Sequence, residues 1–398
     1  MSKLVPKLRF KEFSGEWEEN EVVIKIVSGN NYPLDSYVKK GTLLIQGLNI
    51  NPHKLTLENP IYISNNFLTD RDIFIQKNDI LIGLNRPIID NKLKICLYNK
   101  DDQAVLYQRA GVLKFNKEKL SNLFLYYYLS SNTFLRQLFL ELVGSDQPYI
   151  KSDLFKKTKN IFPKETQEQQ KIANTLSSLD SLIEAQQRKV EALKKHKKGL
   201  MQQLFPAEGA NVPKLRFKEF RGEWEEKTID DIANRYDNLR VPITASDRIN
   251  GATPYYGANG IQSYVEGYTH DGEFVLLAED GANDLKNYPI HYVNGKIWVN
   301  NHAHVLQAKE GISNNLFLSY AIQNINFEPY LVGGGRAKLN ANVMMKIIFL
   351  IPTPKEQQKI ANTLSSLDNL IEAYQRKVEA LKKHKKGLMQ QMFVNGDG

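Results

Sequence analysis

The sequence predicts an α+β protein: two mixed α/β domains separated by a long antiparallel two-helix coiled coil, with an internal pseudo-two-fold repeat. Three observations predict it. Glu168–Phe205 returns as Glu356–Phe393, changed only at Ser181/Asn369, Gln186/Tyr374 and Leu204/Met392. A short stretch, VPKLRFKEFSGEWEE from Val5, returns from Val212 with Arg221 in place of Ser14. After each short copy lies a large segment unlike its counterpart. A repeat this faithful outranks any local motif in reading a fold.

The long duplicated stretch reads as a helix. Ile172, Leu176, Leu179, Ile183, Val190, Leu193, Leu200 and Leu204 recur in steps of three and four, with Gln186 and Lys197 at the two polar seam positions. The second copy places Ile360, Leu364, Leu367, Ile371, Val378 and Leu381 alike. This heptad marks a helix packed along one seam. No Gly or Pro interrupts 168–198. Each apolar stripe needs cover, and the natural cover is the other copy. Antiparallel pairing suits the connectivity, because a parallel partner would force the chain to travel back a full helix length. That pairing puts the two globular segments at opposite ends.

The boundaries follow. Residues 1–162 form the first domain with its short repeat element, and 163–205 the central helix. Residues 206–351 form the second domain with its short element, and 352–398 the C-terminal helix. Asp79–Leu84, Lys92–Tyr98, Glu273–Ala278 and Lys296–Val305 read as strands, the last with His302 and His304 on one face. Both domains then give a helix rich in Leu, Phe and Tyr, a Gly turn at Gly144 or Gly333–Gly335, and an apolar anchor at Ile150 or Leu339. A short helix and a strand close each domain at Pro163 or Pro352.

Composition narrows the function classes. One cysteine, Cys96, excludes a disulfide framework and suits a reducing cytoplasm. The N-terminal MSKLVPKLRF lacks the apolar run of a signal peptide, and no stretch approaches a membrane span. The net charge of +9 is uneven: residues 20–162 carry 19 basic and 13 acidic groups, whereas 227–351 carry 10 and 12. The basic balance permits phosphate contacts. The acidic second segment must meet a polyanion through a local patch or with help.

Catalytic motifs are missing. The chain has no G-x-x-x-x-G-K-[ST] loop and no G-x-S-x-G elbow. Asn59-Pro60-Ile61-Tyr62 departs from the N-P-P-[FY] motif of DNA amino-methyltransferases at its third position, and no glycine-rich cofactor strand precedes it. His302 and His304 lack a recognisable third metal ligand, so no metal site is assigned and strand or DNA-contacting histidines are the alternatives. Glu279, Asp280 and Asp284 read as a solvated turn.

The binding candidates are polar and basic sets at loops and on strands. In the first domain they are Asn85, Arg86, Lys92 and Lys94, with Gln147, Tyr149 and Lys151 at the later loop. In the second they are Tyr255, Tyr256, Asn259, Asn283, Asn301, His302 and His304, with Arg336 and Lys338 after the glycines. Asn and Gln match the adenine edge and Arg the guanine edge, while the positive charges of Arg336 and Lys338 beside the glycines suit a phosphate or a base edge. A glycine loop that closes a helix and a solvated basic strand face stay open as the plainer readings. Unlike polar sets at corresponding loops are what two different sequence readers would carry.

The layout resembles the specificity (S) subunit of type I restriction-modification systems over nearly the whole chain. The resemblance rests on PKETQEQQKIA at 163–173, PTPKEQQKIA at 352–361, IQGLNI at 45–50, YYGANGIQSYVEGY at 255–268, LLAEDGAN at 276–283 and WVNNHAHVL at 298–306. It implies that both variable segments are target-recognition domains, each reading half of a split site in double-stranded DNA. It further implies that the paired helices set the spacing and dock two methyltransferase subunits, which restriction subunits join. S-adenosylmethionine then belongs to the methyltransferase partner, and this chain holds no cofactor and catalyses nothing. The competing readings are a free-standing DNA-binding regulator, a coiled-coil scaffold for proteins, and an autonomous methyltransferase that the absent cofactor motif disfavours; salt-dependent DNA binding separates the scaffold from the rest.

Overall fold

The computed structural model describes residues 4–19, 23–142, 148–151, 153–333 and 336–394. The protein is mixed α/β and forms two compact units, Met1–Gln186 with Lys377–Gly398, and Gln187–Arg376. The helices Thr166–Leu204 and Pro354–Met392 each run 39 residues. Each unit holds the start of one long helix and the end of the other.

In the first unit, Lys25–Ser28, Ala110–Lys114, Ile80–Gly83 and Ile95–Leu97 lie side by side in an antiparallel sheet. A second sheet orders Tyr37–Val38, Ile61–Ile63, Thr42–Ile45, Ala104–Leu106 and Phe74–Ile75, with Thr42–Ile45 parallel to Ala104–Leu106. Asn59-Pro60 thus only leads into the Ile61–Ile63 strand. The expected Lys92–Tyr98 strand is two pieces: Lys92–Leu93 pairs with Ile88–Ile89, and Ile95–Leu97 with Ile80–Gly83.

In the second unit one six-stranded sheet runs Ala233–Arg235, Ala303–Ala308, His270–Ala278, Ile290–Val299, Asn250–Gly257, Gly260–Val265. Asn250–Gly257 lies parallel to Ile290–Val299, and the other pairs are antiparallel. The expected Lys296–Val305 strand is wrong. The chain turns after Val299, where the buried Asn300 accepts a hydrogen bond from His302 N at 2.8 Å, an Asx turn that starts a new strand. His302 and His304 therefore do not share a strand face.

The aromatic-rich helices follow: Asn122–Leu129 and Asn132–Glu141 in the first unit, Asn315–Gln323 in the second. Ser131 breaks the first pair by capping the second helix, its hydroxyl accepting from Phe134 N. The cores correspond in their central rings, Phe124 with Phe393 and Phe317 with Phe205. Phe124 packs edge-on to Phe162 at 5.4 Å and beside Phe393 at 5.7 Å. Phe317 stacks on Phe205 at 5.7 Å beside Trp224.

Physical chemistry explains why Glu168-Gln169 and Glu356-Gln357 open the long helices. Arg9 holds the Glu168 carboxylate through two bonds of 2.8 Å, and Arg216 holds Glu356 the same way. Both carboxylates are buried, where a bidentate guanidinium is the apt partner. Gln169 donates to Pro163 O at 3.0 Å and accepts from Ser121 N at 2.7 Å. Gln357 donates to Pro352 O and Ile312 O. The short repeat element, the closing strand and the helix start are thereby locked together.

Of the seam residues, Ile172, Leu176, Ile183, Val190, Ile360, Leu364, Ile371 and Val378 are buried; Leu179, Leu193, Leu367 and Leu381 are half-buried. Lys197, which interrupts the apolar pattern, reaches Asp368 at 2.6 Å while Tyr320 donates to the same carboxylate at 2.6 Å. In the first unit Lys385, Asp180 and Tyr127 repeat this triad at 2.5 and 2.8 Å. Each triad ties an aromatic-rich helix to both long helices.

Candidate nucleic-acid interface

The two sheets superimpose in hydrogen-bond pattern at one edge. In the first unit Ile150 N donates to Leu84 O at 2.9 Å, Arg86 N to Pro148 O at 2.8 Å, and Leu84 N to Arg109 O at 3.1 Å. In the second, Leu339 N donates to Glu279 O at 2.7 Å, Gly281 N to Ala337 O at 3.3 Å, and Glu279 N to His302 O at 2.9 Å. Asn85 pairs with Tyr149 as Asp280 pairs with Lys338. Tyr107 N meets Ile45 O as Asn300 N meets Tyr256 O. The equivalences are therefore Asn85 with Asp280, Arg86 with Gly281, Arg109 with His302, and the IQGLNI turn with YGANGI.

At this edge the first unit has an open cavity of about 600 Å³ lined by Gln46, Asn85, Arg86, Lys94, Gln108 and Arg109 among others, none of them acidic. Lys94 is buried, its stem so close over Gly83 that a Cβ there would stand 2.9 Å from Lys94 Cε. Burial lowers its pKa, and among the described residues no carboxylate pairs with it. Tyr149 and Lys151 are exposed at the adjoining loop. Lys92 stands apart, exposed on the small hairpin. Gln147 lies outside the described residues.

The second unit brings Asn259, Asn283, His302, Arg336 and Lys338 together at the same edge. Asn259 donates to Gly281 O and accepts from Asn283 N, both at 2.9 Å, and so ties two loops. His302 Nδ1 lies 2.5 Å from Asp280, which Arg336 also meets at 3.1 Å. Lys338 and Arg240 meet Glu279 at 3.1 and 2.6 Å. Burial pushes the Glu279 carboxyl up, but the Arg240 and Lys338 hydrogen bonds outweigh it and hold the pKa low. Asn301 is exposed beside His302.

Two candidates are corrected. Tyr255 is a core residue rather than a stacking platform: it is 1% exposed, and its hydroxyl is engaged by Ile243 N and O. His304 is also 1% exposed, with Asp237 2.7 Å from Nδ1 and Leu339 O 2.9 Å from Nε2, so it braces the sheet. Tyr256 is half-buried beside His291. Asp237, Glu279 and His304 lie close enough to surround a cation, but Arg240 and Lys338 already bring positive charge to those carboxylates. Asp284 is separate, accepting from Lys286 N and Asn287 N in its own turn.

Sequence reasoning missed Gln46, Gln108 and Arg109. The signal was present: Tyr107-Gln108-Arg109-Ala110 stands where Asn300-Asn301-His302-Ala303 stands in the other domain.

The type I restriction modification DNA specificity domain matches this chain twice, over residues 16–195 and 221–383. The chain belongs to that family. Each matched copy of the specificity domain covers one loop cluster and most of one long helix. The chain is similar to a putative type I restriction enzyme specificity subunit of Haemophilus influenzae, 49% identical over 37% of this chain and 38% of that one. It is 33% identical to the MjaVIII specificity subunit of Methanocaldococcus jannaschii over 49% of this chain and 47% of that one. The matched stretches thus span less than half of either relative. The S subunit of the type I system of M. genitalium shares the fold, with a TM-score of 0.65 at 17% identity over 98% of this chain and 99% of that one.

Proposed function

We propose that the chain is the DNA sequence-specificity subunit of a type I restriction-modification complex and is not itself an enzyme. The observation that carries this is one frame built twice, with unlike polar clusters at the same sheet edge. Each domain reads one half of a bipartite site in double-stranded DNA, so unlike clusters read unlike halves. The long helices pair as an antiparallel coiled coil and fix the spacer between the halves, because DNA resists being stretched or twisted to fit.

Two methyltransferase subunits dock on those helices. Exposed Gln170, Lys171, Asn174 and Ser178 return as exposed Gln358, Lys359, Asn362 and Ser366. Seam packing places no demand on these positions, so their duplication suits two copies of one partner. The methyltransferases carry S-adenosylmethionine and add their own attraction for DNA, which offsets the acidic second domain; restriction subunits join the assembly. The complex works in the cytoplasm; among the described residues no helix is long and apolar enough to cross a membrane.

Modification-sensitive sequencing of DNA from cells with and without this chain, with a cognate methyltransferase supplied, is the direct test. The expected outcome is a chain-dependent motif of two short halves around a fixed gap. No motif, with a methyltransferase that works with another specificity subunit, would falsify the reading. Inserting four residues into one long helix is expected to lengthen the gap.

A further inference from the structure

Arg86 adopts a left-handed backbone, φ +44°, at the turn where the second domain uses Gly281, φ +69°. An arginine is disfavoured there, and glycine is the residue that relieves the turn. A strained non-glycine residue held at a recognition edge points to a side chain the site requires. In the second domain the guanidinium of Arg336 lies over that same glycine, 3.4 Å from where a Cβ would stand, and Asp280 holds it. In the first domain the equivalent of Asp280 is the neutral Asn85. The buried Lys94 adds a second cation and Arg109 a third, with no acid in the cavity lining.

We propose that the cavity formed by Arg86, Lys94 and Arg109 is where the first domain reads guanine. The O6 and N7 atoms of guanine present two acceptors in the major groove, and Arg or Lys is their usual partner. A buried lysine without a carboxylate gains most from an acceptor that enters the cavity. At the equivalent edge of the second domain Arg240, Arg336 and Lys338 are each paired with Glu279 or Asp280. This inference rests on the reading that the first domain binds half of a DNA site.

The test uses the full chain in complex with its methyltransferase. The modified motif is mapped first, and exchange of residues 20–162 identifies the half that the first domain reads. Duplexes with 7-deazaguanine, which lacks the N7 acceptor, then replace each guanine of that half in turn. One replacement is expected to weaken the wild-type complex roughly 10-fold. Arg86→Gly and Arg109→Gln are expected to bind the normal and substituted duplexes alike, with the other half-site still recognised. The inference is overturned if that half contains no guanine, or if no replacement matters and each variant only lowers the salt slope by about one, the mark of a phosphate contact. A complex that does not prefer its motif over scrambled DNA overturns the specificity-subunit reading itself.

Discussion

Arg86 and Gly281 occupy the same turn in the two domains, and their surroundings are built oppositely. Around Arg86 three cations line a cavity without an acid in its lining; around Gly281, among the described residues, Arg240, Arg336 and Lys338 are each answered by Asp280 or Glu279. The backbone hydrogen bonds that hold the two turns are the same. The comparison teaches that the frame fixes where side chains are presented, and that charge and shape there are free to diverge.

The largest effect expected is exchange of residues 20–162 for the corresponding segment of another family member. One half of the modified motif should be replaced and the other kept, as read by modification-sensitive sequencing. A change in both halves would show that the domains are not independent readers.

Next come the clamps that the domains share. Glu168→Ala should cost about 3–5 kcal/mol in denaturant unfolding, because it leaves Arg9 poorly solvated and unpaired. Glu356→Ala should cost less by about 1 kcal/mol. Trp17 Nε1 donates to Glu168 at 3.3 Å, whereas the buried Trp224 Nε1 has no partner among the described residues, so the second clamp loses one bond fewer. Equal costs would mean that the indole bond contributes nothing. Tyr127→Phe and Tyr320→Phe each remove a hydroxyl bond to a carboxylate, at 2.8 and 2.6 Å. About 1–2 kcal/mol is expected for each, measured by the same unfolding experiment.

Acid should loosen the sheet of the second domain. Burial pushes Asp237 up, but bonds from His304 and Val305 and the charge of Arg240 bring its pKa down; Glu279 is held low as well. Both folded values lie below the ordinary carboxylate range. The stability they add is therefore present above about pH 4 and lost as the pH falls through the folded values. Hydrogen exchange should show protection of His270–Ala278 and Ala303–Ala308 declining in that window, and Glu279→Gln should flatten the decline. The smallest effect is Arg86→Gly. Relief of the left-handed turn, set against glycine's greater freedom when unfolded, should leave stability unchanged or raised by up to about 1 kcal/mol. A loss above that would assign Arg86 a structural role.

The duplicated frame is legible in the sequence, because heptads, turn residues and repeated motifs are local signals carried by neighbours along the chain. Arg86, Asn259 and Arg336 were also legible as polar residues at turns, and Lys94 as part of a basic cluster on an expected strand. That Tyr255 and His304 turn inward follows from the packed fold, since burial depends on what covers each face of the sheet that carries them. It also joined Gln46 to Arg109 and Lys197 to Asp368, pairs far apart in sequence that no periodicity connects. The break at Asn300 belongs to the same class: an apolar run reads as one strand until a side chain bonds the backbone and turns it.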